Sequence, residues 1–441
     1  MAVARFAGTV VLTLVAYGTV HAQSVTLAEN TRVNDCLKIG LAMRLTGEMV
    51  VVRDGKPATL KLAAIAEHHY RERVLALSRE GLISKAARYY DDAKASITVD
   101  GSTTSRVLRP ERRLAVAQRQ NDNFLSYSPQ GPLTRDELET ISEHFDTLCV
   151  TGLLPGKEVK LGDSWKLGNA AAQGLCQFEG LVSNELTGKL AVVADGVAAF
   201  AIEGTASGIK LGAQAKVTVI ATGRFDIAKK RLVSLEWKQQ DVRDQGPASP
   251  AATVETTITL AREAIEQPKE LSDVALVSVP QGFDVSPPLT QLLVRDHKGR
   301  FELAASRDWQ PVSQTESHLV MRLLDRGDFV AQATVTPWTK AEPGKHMDPK
   351  DFHEAMLASP GWEPEEVLQE GELPNQPNGR YVYRLAVRGQ IEDVKVVQTF
   401  YLVAGPKGDQ CVVAVTLKQA QSGKLGARDL ILVDGLELIA K

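Results

Sequence analysis

Aromatic residues are few in this sequence and its net charge is small, and each of these features excludes a class of function. Aromatic side chains make up 5% of the 441 residues, and the formal net charge is −3. Sugar-binding platforms and single-strand nucleic-acid grooves need stacked aromatic rings, and anionic partners need a positive field. No apolar run after residue 22 approaches the length of a transmembrane helix. The sequence therefore predicts no nucleic-acid partner and no membrane span.

Catalytic and cofactor-binding motifs are missing as well. The chain contains no GxSxG elbow, no P-loop, no GxGxxG turn and no EF-hand loop. We therefore predict no catalytic residue, no cofactor and no enzyme activity. A hydrolase with dispersed catalytic residues stays an alternative, because a catalytic triad is defined by geometry and not by order in the chain.

The four cysteines, Cys36, Cys149, Cys176 and Cys411, are widely spaced. None forms a CxxC pair, so a zinc or redox site is not predicted. Cys411 lies in the strand-like run CVVAVTL, where a buried free thiol is expected. Any disulfide should therefore join two of the other three, and the sequence leaves open whether one forms.

The first 22 residues have the pattern of a secretory signal peptide. Arg5 gives a positive start, residues 7–20 are apolar, and Val20-His21-Ala22 is a suitable cleavage site. We expect cleavage after Ala22 and a mature protein that is periplasmic or secreted.

Residues 23–266 read as antiparallel β structure with one helix. Alternating apolar residues over 38–53 and 58–77 predict two strands joined at Asp54-Gly55. Strands are also expected at 94–100 and 104–128 around Asp100-Gly101, and Asp195-Gly196 is expected to turn a later hairpin. Thr134 and Glu137 form a capping-box pattern for a helix over 134–148. A β meander over 175–264 follows, so a large curved sheet or half-barrel is predicted.

Proline- and glycine-containing turns mark a linker at 267–296, and the pattern then changes. From 297 the expected order is a strand at 301–305, a hairpin, a helix at 349–358, three strands and a terminal helix at 427–440. Trp309 comes early in this unit, and Asp348-Pro349 caps its first helix.

That order resembles the fold shared by the PsbP extrinsic proteins of photosystem II and the Mog-type Ran-binding proteins. The resemblance implies an α/β/α sandwich over 297–441 and a small accessory or binding module. The first part is similar to exported bacterial domains of unknown function that carry the pattern Pro155…Gly162-Asp163-Ser164-Trp165. The predicted fold class is therefore α+β, with a large antiparallel β domain followed by a PsbP-like α/β/α domain.

Two histidine clusters contain residue types that bind metals. Within Glu67-His68-His69 and Glu72, adjacent side chains on a strand point to opposite faces and cannot chelate one ion. His353-Glu354 begins like an HExxH motif, but position 357 is Leu, so the second ligand is missing. His346, Asp348 and Asp351 lie near His353 in sequence and are read as a capped helix start. No metal site is predicted.

Five arginines over 106–119 form the densest basic cluster, and we read them as the solvated face of strands. They are Arg106, Arg109, Arg112, Arg113 and Arg119.

The sequence therefore predicts an exported, non-catalytic binding or accessory protein of the bacterial periplasm or cell envelope. Its partner is an unidentified protein or lipophilic ligand of the envelope. A specific alternative is a carrier that holds a lipophilic ligand on the curved N-terminal sheet.

Overall fold

A 13-stranded antiparallel sheet dominates the first part of the chain. The computed structural model describes residues 24–439 except 54–55, 121–122, 143–144, 247–248, 326–327 and 375–378. The expected cleavage site at Ala22 and the Asp54-Gly55 turn lie outside the described residues. The first 15 strands are β1 (Ser24–Leu27), β2 (Cys36–Arg53), β3 (Lys56–Leu77), β4 (Ile83–Val99), β5 (Ser102–Val107), β6 (Leu114–Gln120), β7 (Asn123–Tyr127), β8 (Lys157–Lys160), β9 (Ser164–Lys166), β10 (Gly180–Asn184), β11 (Thr187–Ala194), β12 (Val197–Lys210), β13 (Ala213–Asp226), β14 (Arg231–Arg243) and β15 (Ala251–Ile265).

The strands follow the order β7-β6-β4-β3-β2-β15-β14-β13-β12-β11-β9, with β5 beside β4 and β10 beside β12. The order ends at β7 and β9, so the sheet is open. Asp100 and Gly101, like Asp195 and Gly196, have positive φ values at the tips of two hairpins. This is the backbone that a tight hairpin requires, and both predicted turns are confirmed.

One face of this sheet, the inner face, packs against a layer made of β1, β8, the segment 145–154 and two helices, α1 (Arg135–Ile141) and α2 (Asn169–Cys176). Trp237 on β14 meets Phe145 with ring centroids 5.5 Å apart. The core of the first part therefore lies between the sheet and this layer.

Two elements differ from the predictions. The helix expected over 134–148 begins with the predicted capping box but ends at Ile141. Asp146 then caps a separate 3₁₀ turn, Thr147–Leu153, by accepting a bond from the Leu148 amide. The strand expected over 104–128 is broken by a 3₁₀ turn, Pro110–Arg112, because Pro110 has no N–H for the ladder.

The sequence pattern also missed α2, which ends at the start of the predicted meander. Its N-cap is Gly168, which provides no side-chain cap, and its first turn carries no acidic residue. The usual signals of a helix start are therefore missing from this segment.

The stretch predicted as a linker is packed along most of its length. Residues 269–285, called the strap here, cross the outer face of the sheet, where Leu271 and Val279 are buried against Val116 and Tyr127. The Lys85 ammonium donates to the carbonyl oxygens of Pro280 and of Gly282, the latter at 2.5 Å.

The second part of the chain contains a seven-stranded and a three-stranded antiparallel sheet. Its elements are α3 (Pro287–Thr290), β16 (Leu292–Arg295), β17 (Phe301–Ala305), β18 (Trp309–Gln314), β19 (Leu319–Asp325), β20 (Asp328–Trp338), α4 (Pro349–Leu357), β21 (Glu363–Glu372), β22 (Tyr381–Ile391), β23 (Val394–Ala404), β24 (Gln410–Lys418), α5 (Ser422–Leu425), α6 (Arg428–Asp434) and β25 (Leu436–Leu438). The large sheet has the order β18-β19-β20-β24-β23-β22-β21, and the small one β16-β17-β25.

Most predicted elements of this part are present, but some differ. Strands β16, β18 and β21 were not predicted, and the terminal helix is shorter than 427–440. Helix α6 ends at Asp434, because β25 follows to pair with β17. β21 carries five glutamates in ten residues, EPEEVLQEGE, a composition that does not indicate a strand.

We expect a fragment that starts at residue 286 to unfold in one transition, roughly 10 °C above a fragment that starts at 297. The shorter fragment lacks β16 and Asp296, whose carboxylate accepts bonds of 2.7 and 2.8 Å from the Arg300 guanidinium. Thermal melts of both fragments check this. Equal midpoints would show that β16 contributes nothing to the second part.

Candidate functional site

The histidines of the first cluster diverge, as the strand pattern predicts. On β3, His68 and Glu72 lie buried on the inner face, whereas His69 is exposed. Glu72 is bound by Arg88 on β4 at 2.9 Å, and both side chains are almost completely buried. Arg88 also donates to the Thr147 hydroxyl at 2.6 Å. This cluster ties the sheet to the layer above it and has a structural role.

The basic cluster is not a solvated face, so that interpretation is wrong. Arg106 pairs with Asp136 and Glu139 of α1, and Arg109 binds Glu137. Arg119 pairs with the buried Asp146 at 2.7 Å. The helix lies against these strands with its acidic side chains, which the alternation of the strand residues did not indicate.

Arg112 and Arg113 complete that cluster. The Arg112 guanidinium donates to the Pro132 carbonyl oxygen at 3.1 Å, and Arg113 is half-buried. The cluster therefore fastens α1 and its preceding loop to the sheet.

A shallow cleft of about 770 Å³ lies beside α4. In it, His353 Nδ1 is 2.7 Å from a Glu370 oxygen, and the Tyr383 hydroxyl donates to the same carboxylate at 3.4 Å. Burial raises the pKa of Tyr383, and the negative charge of Glu370 raises it further. The cleft is lined by Pro349, Lys350, His353, Glu354, Leu357, Ala358, Glu370 and Tyr383.

The other residues near His353 have separate partners. The His346 ring stacks on Tyr381 with centroids 3.5 Å apart, and Asp348 caps the first turn of α4. Across the described part of the chain, no group of three or more His, Cys, Asp or Glu side chains is arranged to hold a metal ion. Glu370 comes from β21, so the sequence around His353 gave no sign of this pairing.

All four cysteines are buried and free. Burial raises the pKa of Cys176 and of Cys411 to about 12. The thiolate is the reactive form of cysteine, so burial and the raised pKa both slow the modification of these two thiols.

We therefore expect a thiol reagent to label none of the four cysteines in the native protein and all four in denaturant without a reductant. Counting the released chromophore at neutral pH checks this. Two thiols in place of four would show that a disulfide has formed.

The inner face of the large sheet extends beyond the layer that covers it. Near the tips of β2, β3 and β4, apolar side chains on this face form three cross-strand rows. These residues, called the open strip, are half-buried except for the more buried Leu60, and none belongs to a buried cluster of the described residues. The open strip consists of Leu45, Met49, Leu60, Leu62, Ala64, Ile97 and Val99.

Its size follows from strand geometry. From Leu45 to Met49 the strip runs about 14 Å along β2, and from β2 to β4 it spans about 10 Å across the sheet. The footprint of the open strip on the sheet is therefore on the order of 150 Å². Alternation in the sequence indicated which side chains share this face, but it could not show where the covering layer ends.

Polar side chains border the strip on the same face. Asp241 on β14 is cross-strand to Val254 on β15, which is in turn cross-strand to Gly47 on β2. Asp241 is 4% exposed, and one of its oxygens accepts from the Lys210 ammonium. Arg243, two residues along β14, donates to the Pro250 carbonyl oxygen at 3.0 Å. Lys210, Asp241 and Arg243 are called the polar corner.

Two buried atoms of the polar corner have no hydrogen-bond partner among the described residues. They are the Oδ1 acceptor of Asp241 and the Nε donor of Arg243. A buried polar atom without a partner is costly, typically 1–3 kcal/mol. The corner can therefore accept one further hydrogen bond and donate another. Together with the open strip, it is the candidate site.

No family model matches this chain, and no curated protein matches it. Among solved structures, it is similar to PsbP (CyanoP) from Synechocystis sp. PCC 6803, with 11% identity over 36% of this chain and 96% of that chain and a TM-score of 0.26. It is also similar to the Ran-binding protein Mog1p of Saccharomyces cerevisiae, with 12% identity over 34% and 95% and a TM-score of 0.24. Lipovitellin matches at 8% identity over 55% of this chain and 26% of its own, with a TM-score of 0.29. Likenesses this distant carry no argument about function.

Proposed function

We propose that this chain is an exported, non-catalytic binding protein of the bacterial periplasm or cell envelope, and that it carries a lipophilic ligand on its N-terminal sheet. One observation supports the ligand class: the apolar inner face continues past its covering layer as the open strip. An apolar surface next to a core gains free energy when a hydrocarbon excludes water from it. Across the described residues, no helix is both long and apolar enough to cross a bilayer.

Titration of the purified chain with an environment-sensitive apolar dye tests this function. We expect one saturable site per chain, from which long-chain lipids displace the dye. Fluorescence that rises without saturation, or a site that lipids do not compete for, would contradict a carrier function.

Export is a separate part of the proposal. Expressed in a bacterium with its own N-terminus, the protein should be recovered from the envelope fraction starting at Gln23, after cleavage at Ala22. N-terminal sequencing gives the answer. A chain from that fraction that still starts at Met1 would contradict cleavage.

A protein partner for the second part of the chain is the second candidate. Phe352 and Met356 of α4 pack beneath one face of the seven-stranded sheet, and Leu432 and Val433 of α6 pack against the other. This arrangement supports a PsbP-like sandwich. At its edge, β21 is exposed over nearly all of its length and carries five glutamates, which favours a basic protein surface.

A hydrolase is the least supported reading. The cleft beside α4 brings a histidine and two glutamates together, but its lining includes no serine, threonine or cysteine. A binding role therefore needs fewer assumptions than a dispersed catalytic site.

A further inference from the structure

We infer that the candidate site takes a single-chain lipid with a neutral, hydroxylated head, such as a monoacylglycerol. This inference rests on the proposed carrier function and names its ligand. The hydrocarbon would lie on the open strip, and the head would bind the polar corner.

The size of the strip selects one hydrocarbon chain over a protein. A stable protein interface buries about 800 Å² on each partner, whereas the open strip offers on the order of 150 Å². From Asp241 on β14 to Leu62 on β3 there are three strand spacings, about 14 Å. A single acyl chain that runs across the strands covers this distance and ends on the strip.

The polar corner selects the head. Asp241 Oδ1 needs a donor and Arg243 Nε needs an acceptor, and both residues lie on the same face two positions apart on β14. A hydroxyl group can donate and accept, so a glycerol head satisfies both atoms. An ionised carboxylate would accept from Arg243, but it has no proton to donate to Asp241 Oδ1. A quaternary ammonium can neither donate nor accept a hydrogen bond.

The residues between the polar corner and the open strip leave room for an acyl chain that runs across the strands. Val254 and Gly47 lie between Asp241 and Leu62 in the same cross-strand row. A Cβ added at Gly47 would lie 2.2 Å from the Thr253 carbonyl oxygen. Glycine therefore allows β2 and β15 to approach closely, and it leaves Val254 as the side chain between the corner and the strip in this row.

The test is displacement of a bound apolar dye from the full chain by three probes with the same dodecyl-length chain. These probes are monododecanoylglycerol, dodecanoate and dodecyltrimethylammonium, each used below its micelle concentration. We expect monododecanoylglycerol to displace the dye at a concentration at least tenfold lower than the other two require. Shortening its chain by one methylene should weaken it about fourfold, if that methylene lies on the strip.

Two variants test the head contacts. In Asp241→Asn, the like charge is removed, so dodecanoate should bind about tenfold more tightly while the dye still binds. In Arg243→Met, the preference for monododecanoylglycerol over the other probes should disappear. Glu236→Gln, on the exposed outer face of β14, is the matched control and should leave all three probes unchanged.

The outcomes separate the two proposals. Equal displacement by all three probes, or strongest displacement by dodecanoate, would overturn the hydroxylated head and leave the carrier function intact. If dye binding does not saturate and none of the probes displaces the dye, both the hydroxylated head and the carrier function are overturned. If Asp241→Asn does not fold, Arg243→Met still tests the contacts of the head, because this variant keeps the Lys210–Asp241 pair.

Discussion

Replacement of Arg88 by alanine should destabilise the protein by about 3–5 kcal/mol. Arg88 and Glu72 are 1% and 2% exposed, so the variant leaves a buried carboxylate without its partner. The Thr147 hydroxyl, which also contacts Tyr70 at 3.1 Å, loses its bond from the guanidinium. Chemical denaturation of the wild type and the variant measures the difference.

The exposed pair Lys238–Glu236 on the outer face of β14 is the control, and Lys238→Ala should cost less than about 1 kcal/mol. The double variant Glu72→Leu/Arg88→Met should be more stable than Arg88→Ala, since it removes both charges from the interior. If Arg88→Ala unfolds like the control, the ion pair does not join the sheet to its covering layer.

Replacement of Leu62 by lysine should weaken dye binding by roughly 10- to 100-fold, the loss expected for one buried leucine contact. An ammonium on the open strip would also need water that a bound hydrocarbon excludes. Fluorescence titration of the folded variant measures the change.

Ile65→Lys is the matched control, because Ile65 lies on the opposite face of β3 and is 48% exposed. It should bind the dye like the wild type. Thermal melts show whether each variant is folded. Equal loss of binding in both would place the dye site elsewhere.

Local signals in the sequence predicted much of the fold, and tertiary contacts account for most of what was missed. The capping box at Thr134 and the turns at Asp100-Gly101 and Asp195-Gly196 are short-range features, and they appear where expected. The end of α1 was misplaced because the Asp146 side chain starts a new turn and pairs with Arg119, a residue of a distant strand. No pattern within 134–148 contains that information.

The candidate site likewise combines local features that the sequence predicts with tertiary contacts that it does not. Alternation along β2 and β3 predicts that Leu45 and Leu62 each belong to an apolar face, and the structure places them on the same one. The extent of the covering layer depends on where α1 and α2 end. The polar corner depends on β14 and β12 lying two strands apart, and it joins Lys210 to Asp241 across 31 residues. Only the assembled sheet brings these groups together.

The carrier function is tested most directly by photolabelling the intact protein with a monoacylglycerol that has a photoreactive group near the end of its chain. Mass spectrometry of the digested protein then locates the label. We expect labelling of peptides that cover residues 45–64 and 97–99, and this labelling should be suppressed by excess unlabelled lipid and lost in Leu62→Lys. Label on the cleft around His353, or label spread over the chain and unaffected by competition, would contradict it.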